Sequence, residues 1–177
     1  MKKGLVNFPR WLLVGVCLFS SFVNSQGQEK INLVTGFGFP EALNLGVRFQ
    51  QKQLQVGFSV GLLQLENEKT RSFSGDIFYH FGGVSNLSSR RPWYGRAGLN
   101  YFDDETEFRE DKYLYLNLRV GRDFNLSKRL GIAIDAGLVF ELQHDEVVKK
   151  VESGLDWDFD IDFPVLPSVG VVLFYRL

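Results

Sequence analysis

The chain of 177 residues has one cysteine, one methionine, five prolines and almost no excess charge, with 20 Lys and Arg against 21 Asp and Glu. Each shortage excludes something. A lone cysteine, Cys17, allows no intrachain disulfide, so the fold gets no covalent help. A formal net charge of −1 gives none of the basic surface that a nucleic-acid partner requires. The longest apolar run, Trp11 to Phe19, falls short of the ~20 residues needed for a membrane-crossing helix. No glycine-rich phosphate loop is present, and FGGVSNLSS at Phe81–Ser89 reads as a turn.

What that run does resemble is an export leader. Lys2, Lys3 and Arg10 precede it, and small and polar residues follow as far as Ser25. A signal peptide over 1–25 leaves 26–177 as one domain by length. The leader carries three positive charges and no negative one, so its removal takes the net charge from −1 to −4. It also takes away the only cysteine and the only methionine. Val16 before Cys17 is too bulky for a lipid-attachment box.

Beyond the leader, alternation with period 2 dominates. Eight segments carry it: Ile31–Phe39, Leu43–Gln50, Leu54–Leu65, Phe73–Phe81, Trp93–Phe102, Tyr113–Phe124, Leu130–Leu142 and Val165–Leu177. Most have the ~9–11 residues of a tilted strand crossing a bilayer, and their even number suits a closed barrel with both termini on one side. One face of the segments is apolar, as in Leu54, Val56, Phe58, Val60 and Leu62. The other bears Arg48, Asp76, Arg96, Arg119, Asp135, Glu141 and Arg176. A soluble sandwich would turn the charges outward; a membrane barrel turns them into its lumen.

Glycine decides between these. Ten strand glycines (36, 38, 46, 57, 61, 98, 121, 131, 137 and 170) share the charged face, and only Gly75 and Gly95 share the apolar one. A solvated face has no need of missing side chains, whereas a narrow lumen crossed by arginines does. Aromatics on the apolar face gather towards two rims: Phe49, Phe81, Trp93, Phe124 and Tyr175 at one, Phe39, Phe73, Tyr101 and Phe140 at the other.

The last segment alternates Val169, Val171, Leu173, Tyr175, Leu177, with an aromatic two residues before an apolar final residue. This resembles the C-terminal targeting strand of Gram-negative outer-membrane β-barrels, whose commonest last residue is Phe where this chain has Leu177. Taken with the strand rhythm, the mature chain resembles the small OmpA/OmpX-type barrels. The resemblance implies an all-β, eight-stranded antiparallel up-and-down transmembrane barrel in the outer membrane. It also implies contact with outer-membrane lipid and lipopolysaccharide, and insertion by the barrel assembly machinery through the C-terminal strand. A monomer without a cofactor or resident metal is expected.

An eight-stranded barrel has an interior that side chains fill. Arg48, Asp76, Arg96, Arg119, Asp135, Glu141 and Arg176 are therefore expected to form one connected ion-pair network plugging it, since buried charges need partners. The stretches Asp103–Lys112 and Gln143–Phe163 read as acidic outer loops. Within the second, Asp156, Asp158, Asp160 and Asp162 alternate with Trp157, Phe159, Ile161 and Phe163. Alternate strand residues lie ~6.5–7 Å apart, too far for four carboxylates to share one ion, so a solvated acidic face turned to Lys149 and Lys150 is expected. The exposed edge of Trp157, Phe159 and Ile161 makes this ribbon the candidate for binding a surface protein or glycan.

No enzymatic activity is expected. Neither His80 nor His144 stands in a recognisable nucleophile–base pattern. The function expected is structural or adhesive display, with a lipid A-modifying enzyme, a lipocalin-like periplasmic carrier and a narrow pore as the alternatives.

Overall fold

The computed structural model describes residues 31–65, 68–149 and 164–177. The leader 1–25 and the ribbon Asp156–Asp162 lie outside the described residues. Eight strands follow in order: β1 (Ile31–Gly38), β2 (Ala42–Gln51), β3 (Leu54–Leu65), β4 (Glu68–Gly82), β5 (Trp93–Thr106), β6 (Arg109–Asn125), β7 (Leu130–Val148) and β8 (Val165–Arg176). Each pairs antiparallel with its sequence neighbours, and β1 closes on β8 from Asn32↔Arg176 to Gly38↔Gly170. The product is a closed up-and-down barrel with no sheet edge left over.

The alternation that makes the strands also sorts their faces. Outward positions are exposed and apolar, among them Leu45 (63%), Phe37 (61%) and Val120 (55%). Inward positions are polar and shielded, including Asn32, Gln55, Asp76, Arg96, Asn117, Arg119 and Asp135, with a small apolar cluster of Val34, Phe78, Tyr94, Ala133, Val172 and Phe174 among them. The glycines obey the same division. A β-carbon at Gly170 would lie 2.6 Å from Nη1 of Arg119 and 2.7 Å from Oδ1 of Asp135, whereas one at Gly95 would meet nothing within 4 Å.

The two ends of the barrel differ. The terminal end holds Ile31, Leu177 and the β2–β3, β4–β5 and β6–β7 turns. At the hairpin end, strands run further than their apolar pattern foretold. β4 starts at Glu68 instead of Phe73, and β7 continues to Val148 beyond Leu142. The expected loop Asp103–Lys112 is instead the tip of the β5–β6 hairpin, paired as Asp103↔Lys112, Asp104↔Asp111 and Glu105↔Glu110. Cross-strand charge takes over there from apolar packing. Arg71 reaches Asp103 and Glu105, each at 3.2 Å, and Lys149 reaches Glu105 at 2.7 Å. Lys149, expected to face the acidic ribbon, is thus engaged by β5.

Two irregularities re-aim side chains. The β4–β5 register shifts between His80 and Gly82. On β7 one extra residue, Leu142, is accommodated where Leu114 pairs with Gln143 but Tyr115 with Glu141. A bulge reverses the side-chain alternation beyond it. His144 consequently pairs with Tyr113 and stacks on its ring, at 4.3 Å between centroids, on the concave side of the wall.

Candidate functional site

The lumen is crossed by two polar layers, each completed by a residue from a turn. Towards the hairpin end, the short β1–β2 connection, Phe39–Glu41, turns inward and carries Glu41 into the barrel, where it is 3% exposed. Its Oε1 accepts hydrogen bonds from Nη2 of Arg96 at 2.7 Å and Nδ2 of Asn117 at 2.9 Å, and its Oε2 accepts one from Nη2 of Arg119 at 2.7 Å. The next residue, Ala42, takes φ +56°, a left-handed conformation that costs a residue with a β-carbon.

The two arginines divide three carboxylates. Arg96 grips Asp76 with Nε and Nη2, both at 2.9 Å, in the fork geometry that suits a guanidinium. Arg119 donates from Nη1 to Oδ1 of Asp135 at 2.8 Å, and the other oxygen of Asp135 accepts from the Tyr94 hydroxyl at 2.8 Å. Arg119 also donates to Oδ1 of Asn117 at 3.0 Å and to the carbonyl of Phe39. Ser168 on β8 donates to that same carbonyl at 2.7 Å, tying the turn to the far side of the barrel.

Towards the terminal end, the β4–β5 turn supplies Arg90, 2% exposed. Its Nη1 donates to Oε1 of Gln50 at 2.8 Å, and its Nη2 lies 2.6 Å from Asp123. Gln55 donates to the same Gln50 oxygen at 3.2 Å. His80 lies within 3.1 Å of Gln55 and 2.7 Å of the Arg91 carbonyl. Arg90 and Arg176 sit over the Phe174 ring, at 5.1 and 4.7 Å from its centroid.

Of the seven residues expected to form one network, the structure brings four into ion pairs: Asp76, Arg96, Arg119 and Asp135. Arg48 lies over the Phe78 ring at 4.2 Å, on a ring also met by Arg96 at 5.4 Å, and among the described residues pairs with no carboxylate. Arg176 donates to the Lys128 carbonyl at 3.1 Å and to the Asn125 side chain. Glu141 is half-buried at the mouth and, among the described residues, joins no ion pair. The reason is distance along the strand: Glu141 is six residues from Asp135, ~20 Å at the rise of an extended chain. The partner-binding ribbon, Asp156, Trp157, Asp158, Phe159, Asp160, Ile161 and Asp162, lies outside the described residues.

Glu41, Arg90 and Asp123 belong to the site and were not foreseen. The first two sit in turns, where alternation carries no information about direction. A signal did exist for a missing carboxylate: the seven expected residues comprise four arginines and only three acids.

Above the hairpin-end layer lies an aromatic stack. Phe39, expected in the outer girdle, packs instead against Phe102 and Tyr115 at 6.1 and 6.0 Å, because its turn folds into the mouth. Tyr113 stacks on Tyr115 at 5.3 Å. Nε2 of His144 is 3.3 Å from Oδ1 of Asp111, and among the described residues neither histidine hydrogen-bonds a serine. On the outer wall, Arg122 lies over Trp93 and Phe124, at 5.4 and 5.2 Å.

No known family model matches this sequence, and no curated protein matches it. Among solved structures, the barrel is similar to the crystal structure of Acinetobacter baumannii CarO. The TM-score is 0.48 and the identity 10%, over 83% of this chain and 96% of that one.

Proposed function

We propose that the protein is an integral outer-membrane β-barrel of a Gram-negative bacterium, non-catalytic and with a plugged lumen, that displays its long acidic hairpins at the cell surface. The observation that carries this reading is the inversion of the barrel: exposed leucine, valine and phenylalanine outside, ion pairs inside. In water such an exterior would aggregate. In a bilayer it is the face that lipid covers, and closure satisfies every strand hydrogen bond that lipid cannot. Arg122, lying along Trp93 and Phe124, suits the headgroup level, where an arginine keeps its stem in apolar surroundings and its charge in the polar layer.

In this orientation the terminal end faces the periplasm and the hairpin end faces outward. Contact with lipopolysaccharide, insertion by the assembly machinery through β8, and a monomeric state follow from the same reading. The strand extensions of β5, β6 and β7 supply a surface for a protein or glycan partner. Support for a plug in place of a channel comes from the two layers headed by Glu41 and Arg90.

The test is to fractionate membranes and compare gel mobility with and without boiling. A band from the outer membrane that shifts on boiling is expected; freely soluble protein with an unshifted band would refute the reading. Deleting Gln143–Phe163 should abolish binding to a surface partner while leaving the shift intact, and binding that survives the deletion would remove the adhesive role. Lipid A profiles unchanged by expression are expected; acyl-chain changes lost in His144→Ala would establish the enzymatic alternative.

A further inference from the structure

The outer wall of the barrel carries two apolar grooves that differ in what stands below them. One, of about 530 Å³, follows β5. Gly95 and Ala97 leave the gap, and their register partners flank it: Tyr79 and Ile77 on β4, Val120 and Leu118 on β6. The other, of about 680 Å³, lies over Gly75, on the rung that joins Leu33, Val47 and Phe58. Towards the terminal end, the next outward rung below this second groove is Ile31, Phe49 and Val56, all apolar.

Below the first groove the next outward rung is Trp93 and Arg122, a register pair. Alternate strand residues lie ~6.5–7 Å apart, so Arg122 stands at the foot of the groove and not inside it. Its guanidinium rests over the Trp93 and Phe124 rings, at 5.4 and 5.2 Å from their centroids. The side chain is exposed, and among the described residues it makes no ion pair and no hydrogen bond to protein. The charge around it has one sign. The turns beside it bring the exposed cations Arg91, Lys128 and Arg129, whereas the acidic side chain described at this end, Asp123, is buried against Arg90. A cation at the foot of an apolar groove matches a ligand with an anionic head and a hydrocarbon tail. The edge of a guanidinium can take two phosphate oxygens at once, and clustered basic side chains favour anionic headgroups. A zwitterionic headgroup would bring its ammonium among like charges.

We propose that the wall formed by β4, β5 and β6 binds one anionic glycerophospholipid of the periplasm-facing leaflet, with its phosphate on Arg122 and one acyl chain in the groove along β5. Trp93 and Phe124 hold the guanidinium in place for the phosphate. The inference rests on the outer-membrane reading given above, which sets the terminal end towards the periplasm.

The test uses the full barrel extracted in nonionic detergent, stripped of lipid and checked for the boiling-dependent gel shift. Titrated with phosphatidylglycerol, it should bind one copy by native mass spectrometry, and phosphatidylcholine at least several-fold more weakly. Arg122→Gln should weaken phosphatidylglycerol binding several-fold and lose the preference, while Arg122→Lys, which keeps the charge, should retain most of it. Gly95→Leu fills the groove without touching the cation and should weaken both lipids. Gly75→Leu fills the other groove, where a β-carbon would meet nothing closer than 3.8 Å, and should change neither. Should Arg122→Gln fail to fold, the contrast between the two glycine variants decides the matter. Equal binding of the two lipids, phosphatidylglycerol binding unchanged in Arg122→Gln, or equal effects of the two glycine variants overturns the proposal and leaves the barrel reading standing. Freely soluble protein without a gel shift overturns both.

Discussion

Glu41 and Arg119 are 78 positions apart in the chain, and their side chains meet at 2.7 Å in the middle of the barrel. One belongs to the β1–β2 turn and the other to β6 in the wall, so their ion pair fixes the turn inside the lumen. Glu41→Ala would leave Arg96 and Arg119, both buried, short of a carboxylate. Removing one partner of a buried pair costs about 3–5 kcal/mol. The urea midpoint of the gel shift should fall accordingly. Glu41→Gln, which keeps an acceptor but loses the charge, should fall between the two.

The lumen glycines give a prediction with an internal control. Gly170→Val places new atoms against the Arg119–Asp135 pair, and overpacking of this kind costs about 1–3 kcal/mol or more. Gly95→Val projects from the outer face into open space and should leave folding yield and urea midpoint unchanged. Equal effects from the two variants would contradict the assignment of inside and outside.

How far the sequence carried these conclusions depends on how each residue is specified. Strand number and the facing of Arg96, Arg119, Asp76 and Asp135 follow from period 2, because one slip in register would turn every side chain over. Tyr113 and His144 meet only because Leu142 is an extra residue in β7, and an alternation pattern contains no mark of where a bulge falls. Asp103, Glu105 and Lys112 read as a loop by composition, yet pair in a ladder, since Arg71 on β4 and Lys149 just past β7 follow strand extensions that the apolar pattern does not reveal. Glu41 and Arg90 were hidden for a third reason: a turn has no periodicity, and the balance of charge pointed only to Glu41.

The charged ladder above the membrane should respond to pH while the barrel does not. The Glu105 carboxyl is held below the usual carboxylate range by the hydrogen bond and charge of Lys149, and Glu110 likewise by its hydrogen bond to Lys112. The hydrogen bond and charge of Glu110 in turn hold the Lys112 ammonium above its ordinary value. A lowered carboxyl contributes stability above its unfolded value, ~4.3, and loses it as pH falls through the folded value. A raised ammonium contributes below its unfolded value, ~10.4, and loses it as pH rises through the folded one. Amide protection at the tips of β5, β6 and β7, taken relative to the intrinsic exchange rate at each pH, should thus be highest near neutrality and fall at both acidic and strongly alkaline pH. Protection in the lower barrel should stay flat across the same range. Tips that respond no more than the barrel would show that these exposed pairs contribute nothing measurable.

Closure from both ends makes a prediction about conduction that single substitutions alone would miss. In Glu41→Ala the terminal-end layer remains, with Arg90 bound to Gln50 and Asp123, and Gln55 and His80 beside it. In Arg90→Ala the hairpin-end layer remains, with Arg96 and Arg119 still bridged by Glu41. Two barriers in series block ions while either stands, so each single variant should be as silent in planar bilayers as the unmodified protein. The double variant, if folded by the gel-shift criterion, should show discrete openings. A single variant that conducts as well as the double would mean that only one layer seals the barrel. A silent double variant would mean that Arg48, Phe78 and Tyr94, packed between the layers, close it without either turn.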